Sequence, residues 1–548
     1  MTFQTPSSTR NAGVAALMVA SLAFAACNSS SSSKDGEPVS ADKLTSTTSP
    51  ASGDIDQLNW NLTAGEPDVI DPANATTYSG GTVVNNLCDS LLRLQPDFSL
   101  TPNLATYEQV TPTELVFTIK DGATFWDGAP VTAEDVAYSL NRSMDPANIV
   151  SFVFANVKSV EATGPLEVTV TFTQPDELFI KEMGSIASSV MEKKFSEQAG
   201  DKLGTPQGGL MCSGPFKLDK WTSGDSITLS RNEDYWNEEY RARPAMVKFT
   251  FLTDSTAVTQ ALNAGEIDGS YELPPAVINS LSESSAGELR FGPSTQTFTM
   301  SVARPDGVLA NQDIREAFQR LVDREALAKT VFHGAAAPNY TTVGEGTWEP
   351  AATEVYQAAY DKFAKDRSHD PDAAAALVAK SGYDGTPIVL AFLAGDETSS
   401  QTAAVVQQEA KDAGLSVKLK PMQALEFTQA GYDAAKRVGL DLLLQSSFNG
   451  TQDPVEQIGF TYLPDAFYNY VAFDDAMVTQ NITAIRQSFD VQERAKLFVE
   501  AQEIYEANNS NIPLVSIYTT SFLNKDYTGL VTSFAYWSMP SMALIGAK

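Results

Sequence analysis

Residues Leu115–Arg142 read LVFTIKDGATFWDGAPVTAEDVAYSLNR. The first six, Leu115–Lys120, mix β-branched and aromatic residues and predict a strand. Asp121-Gly122 turns the chain and Asp127-Gly128 turns it again. Thr132 then predicts a helix N-cap. Asp135, three residues on, is a variant of the capping box. The helix runs to about Arg142 and stops before Pro146, because the residue preceding a proline is pushed out of the helical region. Strand, paired turns and capped helix in so short a span predict an α/β protein.

Working outward, Val168–Thr173 alternates as a strand, and Ser226–Ser230 is another, entered through the turn Ser223-Gly224-Asp225. Further on, Ile314, Ala317, Phe318, Leu321 and Val322 fall on one face of a helix. Asp370-Pro371 supplies N-cap and first position for a helix over Asp372–Lys380, with Gly382 where a C′ glycine belongs. Ile388–Leu393 predicts a strand, Ser400–Ala413 a helix ended by Gly414, and Leu415–Lys420 a strand. That order is a βαβ unit with a parallel sheet. Leu497, Ala501, Ile504 and Tyr505 mark one more amphipathic helix, and Pro513–Tyr518 a strand after it. The expectation is α/β with at least two lobes and no internal repeat.

The chain has 548 residues, with 37 Lys+Arg against 68 Asp+Glu and a formal net charge of −31. Such acidity argues against nucleic acid as a partner, since phosphate binding needs clustered bases. It argues equally against electrostatic docking on anionic lipid.

The amino terminus reads as an address. The uncharged run Ala12–Ala26 spans about 22 Å as a helix, too short for a hydrocarbon core of about 30 Å. It is the apolar part of a secretory signal over residues 1–26. Small residues precede Cys27, which predicts lipid attachment there. Phe24 stands where an aliphatic residue is usual, and an ordinary cleavage site beside a chance cysteine is the alternative. The Ser/Thr/Gly/Pro-rich stretch 27–53 predicts a disordered tether holding a body off the membrane by the lipid alone. The two remaining cysteines, Cys88 and Cys212, predict a disulfide in an exported chain. Two buried thiols are the other reading, because sequence supplies no Cα separation.

Catalytic signatures are missing. The sequence has no G-x-S-x-G, no phosphate loop of the G-x-x-x-x-G-K-[ST] kind, no H-E-x-x-H and no C-x-x-C. The two histidines, His333 and His369, sit at helix ends. Carboxylate neighbours such as Glu134/Asp135 and Asp474/Asp475 are ordinary in so acidic a chain. No enzyme, cofactor or metal site is expected. A secreted hydrolase, or an adhesin or receptor reusing the fold, is the competing class.

The stretch Leu115–Arg142 closely resembles the signature of the family 5 extracytoplasmic solute-binding proteins of bacterial ABC importers. Other segments agree with it. Pro67–Pro72 resembles the family's opening loop, Ser90–Leu94 the end of its first helix, and Ser213–Leu218 its G-T-G-P-Y element. Asn232–Trp236, Asp313–Ala317 and Asp323-Arg324 fit as well.

The resemblance implies a two-lobed periplasmic-binding-protein fold (type II, large cluster C form) with an extra subdomain in the first lobe. It places crossings between lobes near Phe298–Val302 and near Asn511–Tyr518. The first lobe would take 54–299 and 516–548, with the subdomain at about 90–210, and the second lobe 300–515. It implies a monomer that closes on a small solute, of peptide type, and delivers it to ABC permease subunits. In peptide-binding relatives an acid after a second-lobe strand holds the peptide's ammonium. Here the matching place falls at Asn449-Gly450, both uncharged, with Asp453 two or three residues late. Tyr78, Gln445, Ser447, Phe448, Asn449 and Trp537 are the expected ligand contacts.

Overall fold

A computed structural model describes residue 39 and residues 43–548. The signal expected over 1–26, Cys27 and the first part of the tether lie outside the described residues.

Three sheets organise the chain. In the first, seven strands run in the order Gly287–Gly292, Thr519–Asn524, Gly269–Tyr271, Ile55–Leu62, Pro244–Thr250, Ser226–Arg231 and Phe216–Thr222. Ile55–Leu62 pairs parallel with both neighbours, while the outer strands pair antiparallel. A second sheet has six strands in the order Ala336–Pro338, Asn511–Ile517, Thr297–Val302, Leu442–Ser447, Ile388–Leu393 and Val417–Met422. A third, four-stranded and antiparallel, runs from Ala105 to Phe172 and carries the stretch that opened the sequence reading.

That stretch folds as its chemistry requires. Glu114–Ile119 is a strand, and Gly122 and Gly128 turn it with φ of 84° and 87°, values that favour glycine. The helix Ala133–Ser143 starts on a capping box. Thr132 Oγ1 accepts the Asp135 amide at 3.3 Å, and Asp135 Oδ2 accepts the Thr132 amide at 3.1 Å. In the six-stranded sheet, Ile388–Leu393 and Val417–Met422 pair parallel on either side of the helix Glu397–Asp412. This is the expected βαβ unit.

The cores follow the sheets. Leu58, Trp60 and Phe249 of the seven-stranded sheet share one buried cluster with Phe117 and Val168 of the four-stranded sheet. Met300, Phe318, Leu390 and Leu442 form another around the six-stranded sheet. A helical cluster beside it is built on Trp348, Tyr356, Tyr462, Phe498 and Tyr505.

The chain leaves the seven-stranded sheet at Gly292, joins the six-stranded sheet at Thr297, and returns through Tyr518 to Thr519. Boundaries at 299/300 and 515/516 would therefore cut strands, because Thr297–Val302 and Asn511–Ile517 pair with each other. Below, the first-lobe side means residues up to 292 and from 519, and the second-lobe side means 297–517.

The expected tether is also shorter than 27–53. The Thr48 amide donates to Leu530 O at 2.9 Å and the Ser52 amide to Ala547 O at 2.9 Å, with bridges at Thr47–Val531 and Gly53–Ala547. Backbone pairing with the carboxyl-terminal segment orders a stretch whose composition cannot build a core. Among the described residues no helix is long and apolar enough to cross a membrane.

Candidate functional site

A cavity of about 810 Å³ lies between the two lobe sides. One part of its wall is positioned by a scaffold contact from the end of the stretch Leu115–Arg142. Arg142 forks onto Asp71, donating to Oδ1 at 2.7 Å and Oδ2 at 2.5 Å. That pair fixes the loop running to Thr77, the N-cap of the helix Tyr78–Leu87. Tyr78 is thereby placed on the cavity wall, and its hydroxyl donates to Gln296 Oε1 at 2.7 Å, at the crossing between sheets. Burial, with Glu272 nearby, pushes the Tyr78 phenol well above its ordinary range.

The first-lobe scaffold is stapled close by. Cys88 and Cys212 are joined in a disulfide with Cα atoms 4.9 Å apart. Next to it Asp89 is buried and accepts from Arg93, Tyr235, Trp236 and Ser213 at 2.7–3.0 Å.

Aromatic rings converge on Phe448, whose centroid lies 5.2 Å from Tyr78, 5.1 Å from Phe534 and 5.1 Å from Trp537. Trp537 lies over Gly81, where an added Cβ would come within 2.1 Å of its Nε1. A second aromatic contact on the cavity wall joins the two lobe sides. Phe152, on the first-lobe side, meets Phe460, on the second-lobe side, edge to face at 4.5 Å. Polar groups between these walls come from adjacent strands. Gln445 Nε2 donates to Ser301 Oγ at 3.4 Å, and the Ser447 and Thr297 hydroxyls are 3.0 Å apart.

Of the six expected contacts, Tyr78, Gln445, Ser447, Phe448 and Trp537 line the cavity. Asn449 does not. Its side chain is buried and donates to Asp453 O at 2.7 Å, while its own carbonyl accepts from Thr295 Oγ1. It shapes the loop entering the helix Pro454–Tyr462 rather than facing a ligand.

Asp453 also turns away from the cavity. It caps that helix and is clamped by Lys181, from the first-lobe side, at 2.8 Å, and by Arg494. Burial works against its charge, but Arg494 and Lys181 more than offset that and hold its carboxyl below the ordinary value. Glu349 shares both bases, 2.5 Å from Lys181 and 3.2 Å from Arg494. Arg486 reaches from the second-lobe side to Asp176 at 2.5 Å.

Sequence reasoning missed two acids that do line the cavity, Glu182 and Glu456. Burial comes first among the causes that push both carboxyls upward, and Glu182 adds its repulsion at Glu456. Glu456 carried a signal in its place three residues beyond the N-cap Asp453. Glu182, in the short helix Glu177–Glu182, carried none. His333 and His369 are absent from the cavity wall.

Residues 99–469 match the family described as bacterial extracellular solute-binding proteins, family 5. The glutathione-binding protein GsiB of Salmonella paratyphi A (strain ATCC 9150 / SARB42) is 25% identical over 483 residues, 86% of this chain and 90% of that protein. Among solved structures, Helicobacter pylori DppA in complex with the peptide STSA superposes with a TM-score of 0.77 at 18% identity, over 90% of this chain and 98% of that one. AgaA from A. tumefacien R10, in complex with agropinic acid, gives 0.76 at 22%, over 90% and 99%. The fold is that of the two-lobed periplasmic binding proteins. With the matched residues covering well over half its length, the chain belongs to the family 5 bacterial extracellular solute-binding proteins.

Proposed function

We propose that this protein is the solute-binding component of an ABC importer, anchored by lipid on Cys27. It captures a peptide-type or glutathione-like solute between its lobes and hands it to membrane permease subunits. The observation that carries this reading is the cavity of about 810 Å³ lined from both sides of the crossing. It is within the size range of small-ligand pockets, with aromatic rings and many hydroxyl, amide and carboxyl groups on its walls. The relative named for glutathione supports the same solute class.

The mechanism follows from the geometry. The crossings at residues 293–296 and Tyr518 are short enough to act as hinges. Closing brings Phe152 to Phe460, Lys181 to Asp453 and Arg486 to Asp176, and takes the solute out of water. The solute shifts the open–closed equilibrium by its differential affinity for the closed form. The closed body is what the permease would recognise. No step alters the solute covalently.

Calorimetric titration and thermal shift against glutathione and di- to tetrapeptides test this. One-to-one saturable binding with a raised Tm is expected, about 2.7 kcal/mol of added stability at a hundredfold excess over Kd. No binding across the panel by folded protein would contradict it.

A further inference from the structure

Glu182 ends the helix Glu177–Glu182 on the first-lobe side, and Glu456 lies in the first turn of the helix Pro454–Tyr462 on the second-lobe side. Both line the cavity, yet the two residues are only 2% and 7% exposed. They converge on Gly450, where an added Cβ would lie 3.6 Å from Glu182 Oε2 and 3.9 Å from Glu456 Oε1.

Their surroundings differ in one respect. Glu456 is held by its own loop. Oε1 accepts the Gly450 amide at 3.1 Å, and Oε2 accepts the Thr451 amide at 3.4 Å and hydroxyl at 3.3 Å. Glu182 Oε1 is buried without a hydrogen-bond partner among the described residues.

The neighbouring bases are already engaged. Lys181 and Arg494 bind Glu349 and Asp453, and Arg486 binds Asp176. Glu177 faces the same cluster and adds another acid. Three bases thus meet three acids, and Glu177, Glu182 and Glu456 are left over, of which Glu182 and Glu456 line the cavity. Two buried carboxylates without a counter-charge are tolerated only by taking up a proton or a cation.

We infer that Glu182 and Glu456 form a clamp for a primary ammonium group of the solute, one carboxylate from each lobe side. The ammonium supplies the missing positive charge, donates to the unpartnered Glu182 Oε1, and removes the repulsion that opposes closure. A compact three-donor cation suits oxygens converging around Gly450 better than a planar guanidinium does. The loop at Asn449-Gly450 contributes geometry rather than charge. Gly450 leaves open the space into which both carboxyls reach.

The assignment rests on the cavity being the solute site, and the test separates the two. Ligand-free full-length protein is offered a short-peptide hydrolysate, and separately the same hydrolysate with every amine acetylated. Captured masses are read by native mass spectrometry. Wild-type protein should capture peptides from the first pool and about tenfold less or fewer from the second, as loss of a charge-assisted bond implies. Glu182→Gln and Glu456→Gln should each lower capture from the first pool by a similar factor and leave the second unchanged. Equal capture from both pools by wild-type protein, or undiminished capture by both variants, would overturn the clamp while leaving the cavity's role intact. Folded wild-type protein that captures nothing from either pool would overturn the solute-site reading, and the clamp with it.

Discussion

Lys181 Nζ lies 2.8 Å from Asp453 Oδ2, although 272 positions separate them in the chain, and it lies 2.5 Å from Glu349 Oε1. One first-lobe ammonium thus answers two second-lobe carboxylates. Arg494 also neutralises both. Lys181→Met leaves Arg494 as the single base for two buried acids, so the cost should fall on closure. Solute affinity should drop by about 2 kcal/mol, roughly thirtyfold in Kd, for the loss of one partner in a largely buried pair. Calorimetry against whichever peptide the wild-type protein binds would check this. An unchanged Kd would separate these contacts from binding.

Gly81 tests the aromatic wall. A Cβ there would overlap the Trp537 indole at 2.1 Å from Nε1, and that nitrogen donates to Thr77 O at 3.2 Å. Gly81→Ala must therefore move the indole. A loss of about 1–3 kcal/mol in stability is expected from overpacking. Tryptophan fluorescence should shift, and solute affinity should fall with it.

The bond between Cys88 and Cys212 closes a span of 124 residues within the first-lobe side. Chain-entropy reasoning gives such a loop about 4–5 kcal/mol. Reduction should lower Tm and make two thiols alkylatable, while solute binding at low temperature persists, because both cysteines lie on one lobe side. Two thiols that react in the native, unreduced protein would contradict the bond.

Glu272 sets a pH dependence. It is half-buried with φ of 50°, its Oε1 is shut off from solvent, and Gln296 Nε2 donates to its Oε2 at 3.0 Å. Burial outweighs that bond and pushes its carboxyl up to about 7. The folded protein then holds a proton that the unfolded chain releases above the ordinary glutamate value. Stability from this group is therefore lost as pH rises from about 4.5 through 7, by on the order of 3 kcal/mol. Glu409, pushed up to about 7 mainly by burial, acts in the same sense. Glu272→Gln should be more stable than wild type at pH 8 and similar at pH 4.5. Urea midpoints at the two pH values measure the difference.

Local chemistry made the scaffold legible. Thr132 and Asp135 cap a helix using atoms three residues apart, Gly122 and Gly128 mark turns by themselves, and the strands at Ile388 and Val417 announce a parallel pair by their spacing. Tyr78, Phe448 and Trp537 were legible only through the family resemblance, which located the loops that carry them. What stayed hidden depends on distant partners. The resemblance put Asn449 where relatives carry a ligand-binding acid, yet its amide is spent on Asp453 O. Glu182 and Glu456 acquire meaning only when two lobes bring them to Gly450. Residues 45–53 have a tether's composition, but their pairing partners lie at the far end of the chain.

The central claim is that the lobes enclose one small solute. Native mass spectrometry of the protein isolated from its own cell envelope tests it most directly. The account predicts a single bound mass at one-to-one stoichiometry, carrying a primary amine and displaced by short peptides or glutathione. Only ligand-free protein, with no mass gained on adding any of these, would contradict it.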